Sequence, residues 1–263
     1  MNIVFIGDVV GKAGRKVLTR FLPEIMEEHD AHLVVVNAEN AAGGFGMSQS
    51  IHDQMVGTGV DVLTTGNHVW DRRDFIKEID NCERVIRPAN FAPAVPGKGW
   101  IVIETDYGPA AIINLAGRVF MPPVDCPFRK AEEILEELDS DIKVVLIDFH
   151  AEATSEKQAL ARFLDGKVSA VVGTHTHVQT ADEQVFPGGT AFMCDLGMTG
   201  PSQSIIGVKI DPIVERFILG MPKRFDTATG PDHICGAVVS CDPQTGKANS
   251  IKRIYKETKE QSA

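Results

Sequence analysis

Short runs rich in Val and Ile recur along the chain, and several are followed at once by Gly, Asn or His. Continuous rather than alternating apolar residues predict strands that are covered on both faces. The runs lie at residues 3–6, 33–36, 62–65, 101–104, 111–115, 144–149, 170–172 and 190–194.

Segments with helical spacing separate several of these runs. Apolar residues recur every three or four positions in residues 15–29, 129–138 and 154–164. Residues 86–100, rich in Pro and Gly, predict an ordered loop, and residues 236–255 predict two strands around a turn at 242–246. This alternation of strands and helices predicts a single α/β domain over residues 1–263, with a tail that is disordered from about residue 256.

Composition limits the classes of function. The 26 Lys and Arg against 36 Asp and Glu give a net charge of −10, which argues against binding of duplex nucleic acid through a basic face. Five Cys without a CxxC pair argue against a disulfide framework or a zinc knuckle. Because the N-terminus lacks the pattern of a signal peptide and no apolar run approaches the ~20 residues of a membrane span, we expect a cytoplasmic protein with no membrane partner.

Polar residues follow five of the predicted strands. In open α/β sheets, ligands bind beyond the carboxyl ends of the strands, so these residues are candidates for a site. Taken singly, each has a structural explanation, such as a helix cap, a turn or a core imidazole. Their recurrence favours one shared site, which would contain Asp8, Glu39, Asn40, Asn67, His68, His150, His175 and His177.

The residue types indicate the chemistry of that site. Imidazole, carboxylate and amide ligands without thiolate suit Fe, Mn, Zn, Co or Ni better than Ca or Mg. The candidates outnumber the ligands that one four-coordinate ion needs, whereas two ions about 3.5–4 Å apart, bridged by a carboxylate, use them all. Such a pair polarises a phosphoryl oxygen and generates a bridging hydroxide near neutral pH, and a histidine that binds no metal can protonate the leaving alkoxide.

The order of these motifs resembles a known superfamily. GD, AEN, GNH, H and GTHTH occur in the order of the metallophosphoesterase (calcineurin-like) proteins. The chain is similar in more detail, from residue 1 to about 255, to the bacterial YmdB-like 2′,3′-cyclic-nucleotide phosphodiesterases. The motifs that carry this similarity are GDVVGKAGR, NAENAAGG, GNHVWD, RPANF, IDFHAEATSEK, VVGTHTHVQTAD and DLGMTGP.

The resemblance implies a four-layer α/β/β/α sandwich with a dinuclear centre, and it implies a role for each candidate. Asp8 and His177 would bind the first ion, and Glu39 would bridge both. The second ion would be bound by Asn67, His150 and His175, and His68 would be the acid for the leaving group.

Two departures from the superfamily pattern bear on the metal. The usual Asp-x-His is here Asp8-Val9-Val10, and the usual bridging Asp is Glu39. Both departures match the YmdB-like subgroup, in which Asn40 would be a further metal ligand. Which of the two ions Asn40 would bind is left open. A first site rich in oxygen favours iron or manganese over zinc, and the resemblance also implies iron. We therefore predict two iron ions, with manganese able to support activity.

The predicted substrate class depends on the resemblance alone. It is the 2′,3′-cyclic nucleotides, which are small phosphodiesters. Two alternatives stay open, namely a broader phosphomonoesterase or protein phosphatase on the same centre, and a regulatory or RNA-processing partner that uses the fold for binding. The resemblance also implies a homo-oligomer.

Overall fold

The structure, a computed structural model, describes residues 1–258, and their strands form two sheets. The strands are β1 (Asn2–Ile6), β2 (Asp8–Val9), β3 (Leu33–Asn37), β4 (Val62–Thr64), β5 (Val85–Ile86), β6 (Trp100–Thr105), β7 (Gly108–Ala116), β8 (Val144–His150), β9 (Ala170–Thr174), β10 (Gln184–Val185), β11 (Ala191–Met193), β12 (Met198–Pro201), β13 (Asp232–Cys241) and β14 (Ala248–Glu257). The helices are α1 (Gly11–Glu28), α2 (Gln49–Val56), α3 (Phe75–Glu78), α4 (Pro127–Glu137), α5 (Thr154–Phe163) and α6 (Ile210–Leu219), with a 3₁₀ turn at Ile79–Asn81.

Both sheets are mixed, with parallel strands at their centres. The first sheet has the order β2-β12-β13-β1-β3-β4-β5, and β14 pairs with β13. Its strands β1, β3, β4 and β5 are parallel. The second sheet has the order β10-β11-β9-β8-β7-β6, in which β7, β8, β9 and β11 are parallel and the two edge strands are antiparallel.

The core is divided into three apolar layers by the two sheets. Residues such as Phe5 and Ile112 pack between the sheets. On the outer face of the first sheet, Val4 packs with residues of α1 and α2, and α4 and α5 cover the outer face of the second sheet. Because each sheet is covered on both faces, the central strands are continuous apolar runs. The predicted four-layer α/β/β/α arrangement is confirmed.

The elements that were not predicted from the sequence include α2, β12 and α6. Helix α2 begins after Ser48, whose hydroxyl accepts from the Ile51 amide at 3.4 Å, and it has only eight residues. Strand β12 is four residues long and contains a Gly and a Pro. Helix α6 has apolar residues at one-sided helical spacing, yet it leaves Phe217 and Ile218 mostly exposed, so most of its apolar face is not packed on the core.

The C-terminal hairpin forms as predicted, and its second strand extends further than expected. β14 continues to Glu257, and the Lys256 ammonium pairs with Glu24 at 2.8 Å and Glu28 at 2.6 Å, both on α1. The predicted disorder from about residue 256 therefore does not apply to residues 256–257, while residues 259–263 lie outside the described part of the chain. Across residues 1–258, no helix combines the length and the apolarity needed to span a bilayer.

Candidate metal centre

The carboxyl ends of parallel strands from both sheets meet at one edge of the sandwich. From the first sheet, β1, β3 and β4 lead into the segments that carry the first five candidate residues. From the second sheet, β8 ends at His150, and β9 leads into the two later histidines. The two sheets are joined at this edge by the approach of Glu39 to His150, where Oε1 lies 3.1 Å from Nε2. All eight candidates therefore lie in one region, and their roles as ligands remain a prediction.

Each of the three imidazoles has one ring nitrogen occupied outside the centre. His150 Nδ1 lies 2.9 Å from the Thr174 hydroxyl, which in turn donates to Asp148 at 2.7 Å. His175 Nε2 lies 3.1 Å from Glu152, and His177 Nδ1 lies 2.9 Å from the Ile206 carbonyl. A partner on one nitrogen fixes the tautomer and directs the lone pair of the other inward, as is usual for histidines that bind metal.

The first group of donor atoms surrounds His150 Nε2. Asn67 Oδ1 and His175 Nδ1 each lie 3.0 Å from this nitrogen, and Glu39 Oε1 lies at 3.1 Å. One ring nitrogen cannot hydrogen-bond well to three neighbours at once. Donor atoms that bind one ion at about 2.1 Å also lie about 3 Å from each other when they are adjacent. The nitrogen and oxygen donors therefore fit a transition-metal ion.

The second group contains Asp8, Asn40 and His177. Asp8 is fully buried, and its Oδ1 has no hydrogen-bond partner. His177 Nε2 lies 3.8 Å from this oxygen and 3.3 Å from Asn40 Oδ1. A buried carboxylate oxygen without a partner carries a large desolvation cost, which a bound cation removes. This group therefore fits a second ion.

The carboxyl groups in the centre need positive charge near them. Burial raises the pKa of Asp8 to about 6, against the opposing effect of His177 and His150. Burial also acts to raise the pKa of Glu39, but the charge and hydrogen bond of His150 lower it to about 2. Burial acts to lower the pKa of His150, and Glu39 raises it to about 9. The two buried carboxyl groups therefore share the positive charge of one protonated imidazole. Metal ions bound at the centre would supply more positive charge to both carboxylates.

Gly66 allows the strand ends to approach this closely. A Cβ atom on Gly66 would lie 2.3 Å from Glu39 Oε2 and 2.4 Å from His150 Nε2. Any larger residue at this position would push apart two of the candidate ligands. Glycine in the GNH motif therefore preserves the space in which the donor atoms converge.

His68 lies beside the donor groups, and its ring has other partners. Its backbone amide donates to Glu39 Oε2 at 3.2 Å, while ring Nδ1 lies 2.8 Å from Asp71 Oδ2. The ring packs edge to face on Phe45, with the centroids 5.0 Å apart. Asp71 orients the ring, and His68 lines a cleft of about 580 Å³. This arrangement suits a proton donor rather than a ligand.

A buried ion pair beneath the histidine loop was missed by the sequence reasoning. Lys157 Nζ lies 2.7 Å from Asp195 Oδ2, and each side chain is only 1% exposed. The same carboxylate oxygen accepts from the Thr176 amide at 3.1 Å and from its hydroxyl at 2.8 Å. Thr176 stands between His175 and His177, whose φ values of 98° and 66° lie in the left-handed region that costs energy for residues other than glycine. The ion pair therefore holds a strained loop in place.

We expect Lys157→Met to lower the free energy of unfolding by about 3–5 kcal/mol, because it leaves the Asp195 carboxylate buried without its cation. Urea denaturation followed by circular dichroism measures this loss. Lys223→Met is the matched control, since Lys223 forms a solvent-exposed pair with Glu215 and its loss should cost less than about 1 kcal/mol. Equal losses in the two variants would contradict the structural role of the buried pair, and adding Asp195→Asn to Lys157→Met should recover part of the loss.

Other supporting residues were also missed, although the sequence carried signals for some of them. Glu152 and Lys157 lie in IDFHAEATSEK, and Asp195 begins DLGMTGP. Their positions in the motifs marked them as important, but their contacts depend on how the loops pack. Nothing in the sequence placed α6 or Phe45 beside the centre.

Comparisons with known proteins identify relatives that match nearly the whole length of the chain. A family model described as "YmdB-like protein" matches residues 4–254. A Bacillus subtilis protein named 2′,3′-cyclic-nucleotide 2′-phosphodiesterase is 45% identical over 254 residues, which cover 97% of this chain and 96% of the relative.

Two solved structures are similar in fold. A crystal structure of a hypothetical protein from Thermus thermophilus superposes with a TM-score of 0.91 at 39% identity, covering 98% of this chain and 99% of the other. A structure from Mycoplasma pneumoniae described as a novel phosphatase superposes with a TM-score of 0.93 at 32% identity, covering 99% and 95%.

Proposed function

Because the chain belongs to the YmdB-like family, we propose that it is a metal-dependent phosphodiesterase that hydrolyses 2′,3′-cyclic nucleotides. The observation that carries the proposal is the convergence of three imidazoles, each with its outer nitrogen occupied, on two buried carboxylates. The name of the Bacillus subtilis relative supports the substrate class. A dinuclear centre with a bridging hydroxide, as the resemblance implies, remains part of this proposal.

The distances support an assignment of ligands to two ions. Asp8 and His177 would bind the first ion, and the 3.3 Å between Asn40 and His177 supports placing Asn40 with them. Asn67, His150 and His175 would bind the second ion, and Glu39 would serve both. A pair of ions bound there supplies Lewis acidity, which withdraws charge from the phosphoryl oxygens and acidifies water.

The residues of the chain itself hold the substrate and move a proton. His68 lies at the edge of the cleft with Asp71 on its Nδ1, so its Nε2 can donate a proton to the ribose oxygen that leaves phosphorus. The hydrogen bond from the His68 amide to Glu39 fixes the distance between this acid and the donor groups. The five-membered ring of a 2′,3′-cyclic phosphate is strained, which makes the leaving oxygen easier to expel.

A substrate panel tests the proposed function. We expect higher kcat/KM for 2′,3′-cyclic AMP than for 3′,5′-cyclic AMP or p-nitrophenyl phosphate. A preference for p-nitrophenyl phosphate would favour the alternative of a phosphomonoesterase, which the phosphatase description of the Mycoplasma pneumoniae structure brings into consideration. Phosphorylated peptides in the same panel test the protein phosphatase alternative.

Metal analysis tests the identity of the ions. We expect protein purified without added metal to contain iron at about two ions per chain, because the oxygen-rich first group and the nitrogen ligands of the second suit iron. Inductively coupled plasma mass spectrometry measures the content. Removal by a chelator should abolish turnover, and iron or manganese should restore it. A centre that contains only zinc would contradict the assignment to iron. The cytoplasmic location and the homo-oligomer remain predictions.

A further inference from the structure

The cleft above the candidate metal centre has a wall that takes no part in the proposed chemistry. Its floor contains Glu39, His68 and His177. This wall, which we call the α6 wall, is mostly apolar. It is formed by Ile205, Ile206, Val208, Ile213, Arg216, Phe217, Phe225 and Thr227. A volume of about 580 Å³ lies within the usual range for small-molecule sites.

The α6 wall is fixed to the centre by hydrogen bonds. The Ile206 carbonyl lies 2.9 Å from His177 Nδ1, so the segment that bears the wall also orients a candidate ligand. Val208 forms a β-bridge with Thr227, and the Thr227 hydroxyl donates to the Gly43 carbonyl at 3.4 Å. Gly43 lies two residues before Phe45, whose ring packs on His68. This hydrogen bond therefore connects the α6 wall to the loop that carries Phe45.

Arg216 gives the apolar wall a polar edge. Its guanidinium lies 4.8 Å from the centre of the Phe225 ring. Within the described residues 1–258, it has no carboxylate partner, and it is the only Lys or Arg that lines the cleft. A guanidinium stacked on an aromatic ring keeps its donors free at the edge, and these donors can pair only with acceptors.

The aromatic rings and the guanidinium of the cleft match the chemistry of a nucleobase, the part of a nucleotide that lies beyond the phosphate. With the phosphate at the metal ligands, the remaining volume of the cleft can hold the base, and there Phe45 and the Arg216–Phe225 pair offer flat surfaces. Stacking of a base on an aromatic side chain is worth about 1–3 kcal/mol, which corresponds to roughly 5- to 150-fold in affinity. Arginine donors favour guanine, which presents two acceptors, N7 and O6, on one edge.

We propose that Phe45, Arg216 and Phe225 form a nucleobase subsite, which makes the protein prefer nucleotides, guanine nucleotides above all, to smaller phosphodiesters. This inference rests on the proposed function, since it assumes that the phosphate of the same substrate binds at the candidate metal centre.

Turnover of substrates with and without a base tests the subsite. The probes are 2′,3′-cyclic GMP, 2′,3′-cyclic AMP and 1-O-methylribose 2′,3′-cyclic phosphate, which lacks a base. For the wild-type protein we expect kcat/KM for cyclic GMP to exceed that for the analogue at least tenfold, mainly through KM. Arg216→Ala and Phe225→Leu should each lower this ratio at least fivefold, and Arg216→Ala should also remove the preference for guanine over adenine.

The matched control is Arg224→Ala, which removes the same charge from a side chain that is 90% exposed and does not line the cleft. We expect it to keep the wild-type ratio. A wild-type ratio near one would overturn the proposal, as would a ratio that Arg216→Ala and Phe225→Leu leave unchanged, or an equal fall in Arg224→Ala. If Arg216→Ala changes the sedimentation coefficient and not the ratio, the wall serves contact between copies of the chain, and the base subsite is wrong.

Binding separates failure of the subsite from failure of the proposed function. If the wild-type protein hydrolyses neither cyclic nucleotides nor the analogue, the proposed function is wrong. Calorimetry with guanosine 3′-phosphate and ribose 3-phosphate then decides on the subsite without turnover. At least tenfold tighter binding of the nucleotide would support it, and equal affinity would overturn it.

Discussion

Glu39→Gln is expected to lower turnover of 2′,3′-cyclic AMP by about 10³-fold or more while the protein stays folded. Glu39 is 1% exposed, and its two carboxylate oxygens face His150 and the His68 amide. Glutamine preserves the volume but removes the charge that would bind both ions. Metal ions supply several kcal/mol of transition-state stabilisation, and each 1.36 kcal/mol corresponds to a factor of ten in rate.

Three measurements decide the outcome for Glu39→Gln. These are kcat, metal content, and the circular dichroism spectrum that reports the fold. Glu104→Gln is the matched control, since Glu104 is exposed on β6, and it should keep wild-type values of all three. Turnover within tenfold of wild type would contradict the bridging role. A cellular function that survives loss of turnover in Glu39→Gln would favour the binding and regulatory class over the enzyme.

His68→Ala is expected to lower turnover of 2′,3′-cyclic AMP by ~10²–10⁴-fold, the contribution typical of a general acid, with metal content retained. The ring is paired with Asp71 and packs on Phe45, and only the backbone amide of His68 contacts a candidate ligand. Removal of the ring therefore takes away a proton donor and leaves the donor groups in place.

A substrate that needs no acid separates the two possible roles of His68. The p-nitrophenolate of bis(p-nitrophenyl) phosphate leaves without protonation, so His68→Ala should lose much less activity on this diester than on the cyclic nucleotide. His29→Ala, at the opposite end of α1 from the site, is the control. Equal losses on both diesters would contradict the role of acid, and loss of metal would identify His68 as a ligand.

The α/β class could be predicted from the apolar runs because both sheets are covered on both faces, whereas the four-layer arrangement was implied by the resemblance alone. This burial turns the central strands into continuous apolar runs, as in β3 and β8, whose residues are all buried. The candidate site followed from the same pattern, since parallel strands place their carboxyl ends at one edge. Asp8 and His150, far apart in the sequence, lie 4.0 Å apart, between Oδ1 and Nδ1.

The rest of the site depends on tertiary contacts that leave little trace in a local pattern. Lys157 belongs to the predicted helical segment 154–164, but its partner Asp195, against which it is buried, lies on a different loop. Asn40 Oδ1 lies 3.3 Å from Nε2 of His177, which is 137 positions away in the sequence. Helix α6 has one apolar face, which is largely exposed among the described residues, and its amphipathic pattern alone does not indicate that it forms one wall of the cleft.

The two sheets contribute donor atoms to a common centre, and this has a thermodynamic consequence. Asp8, Glu39, Asn40 and Asn67 belong to or follow strands of the first sheet, whereas the three histidines end or follow strands of the second. An ion bound between them acts as a cross-link that exists only in the folded chain. Free metal at 100 times its Kd would add about 2.7 kcal/mol to the free energy of unfolding. Resistance to heat would then report how fully the centre is loaded, and metal starvation would weaken the whole sandwich.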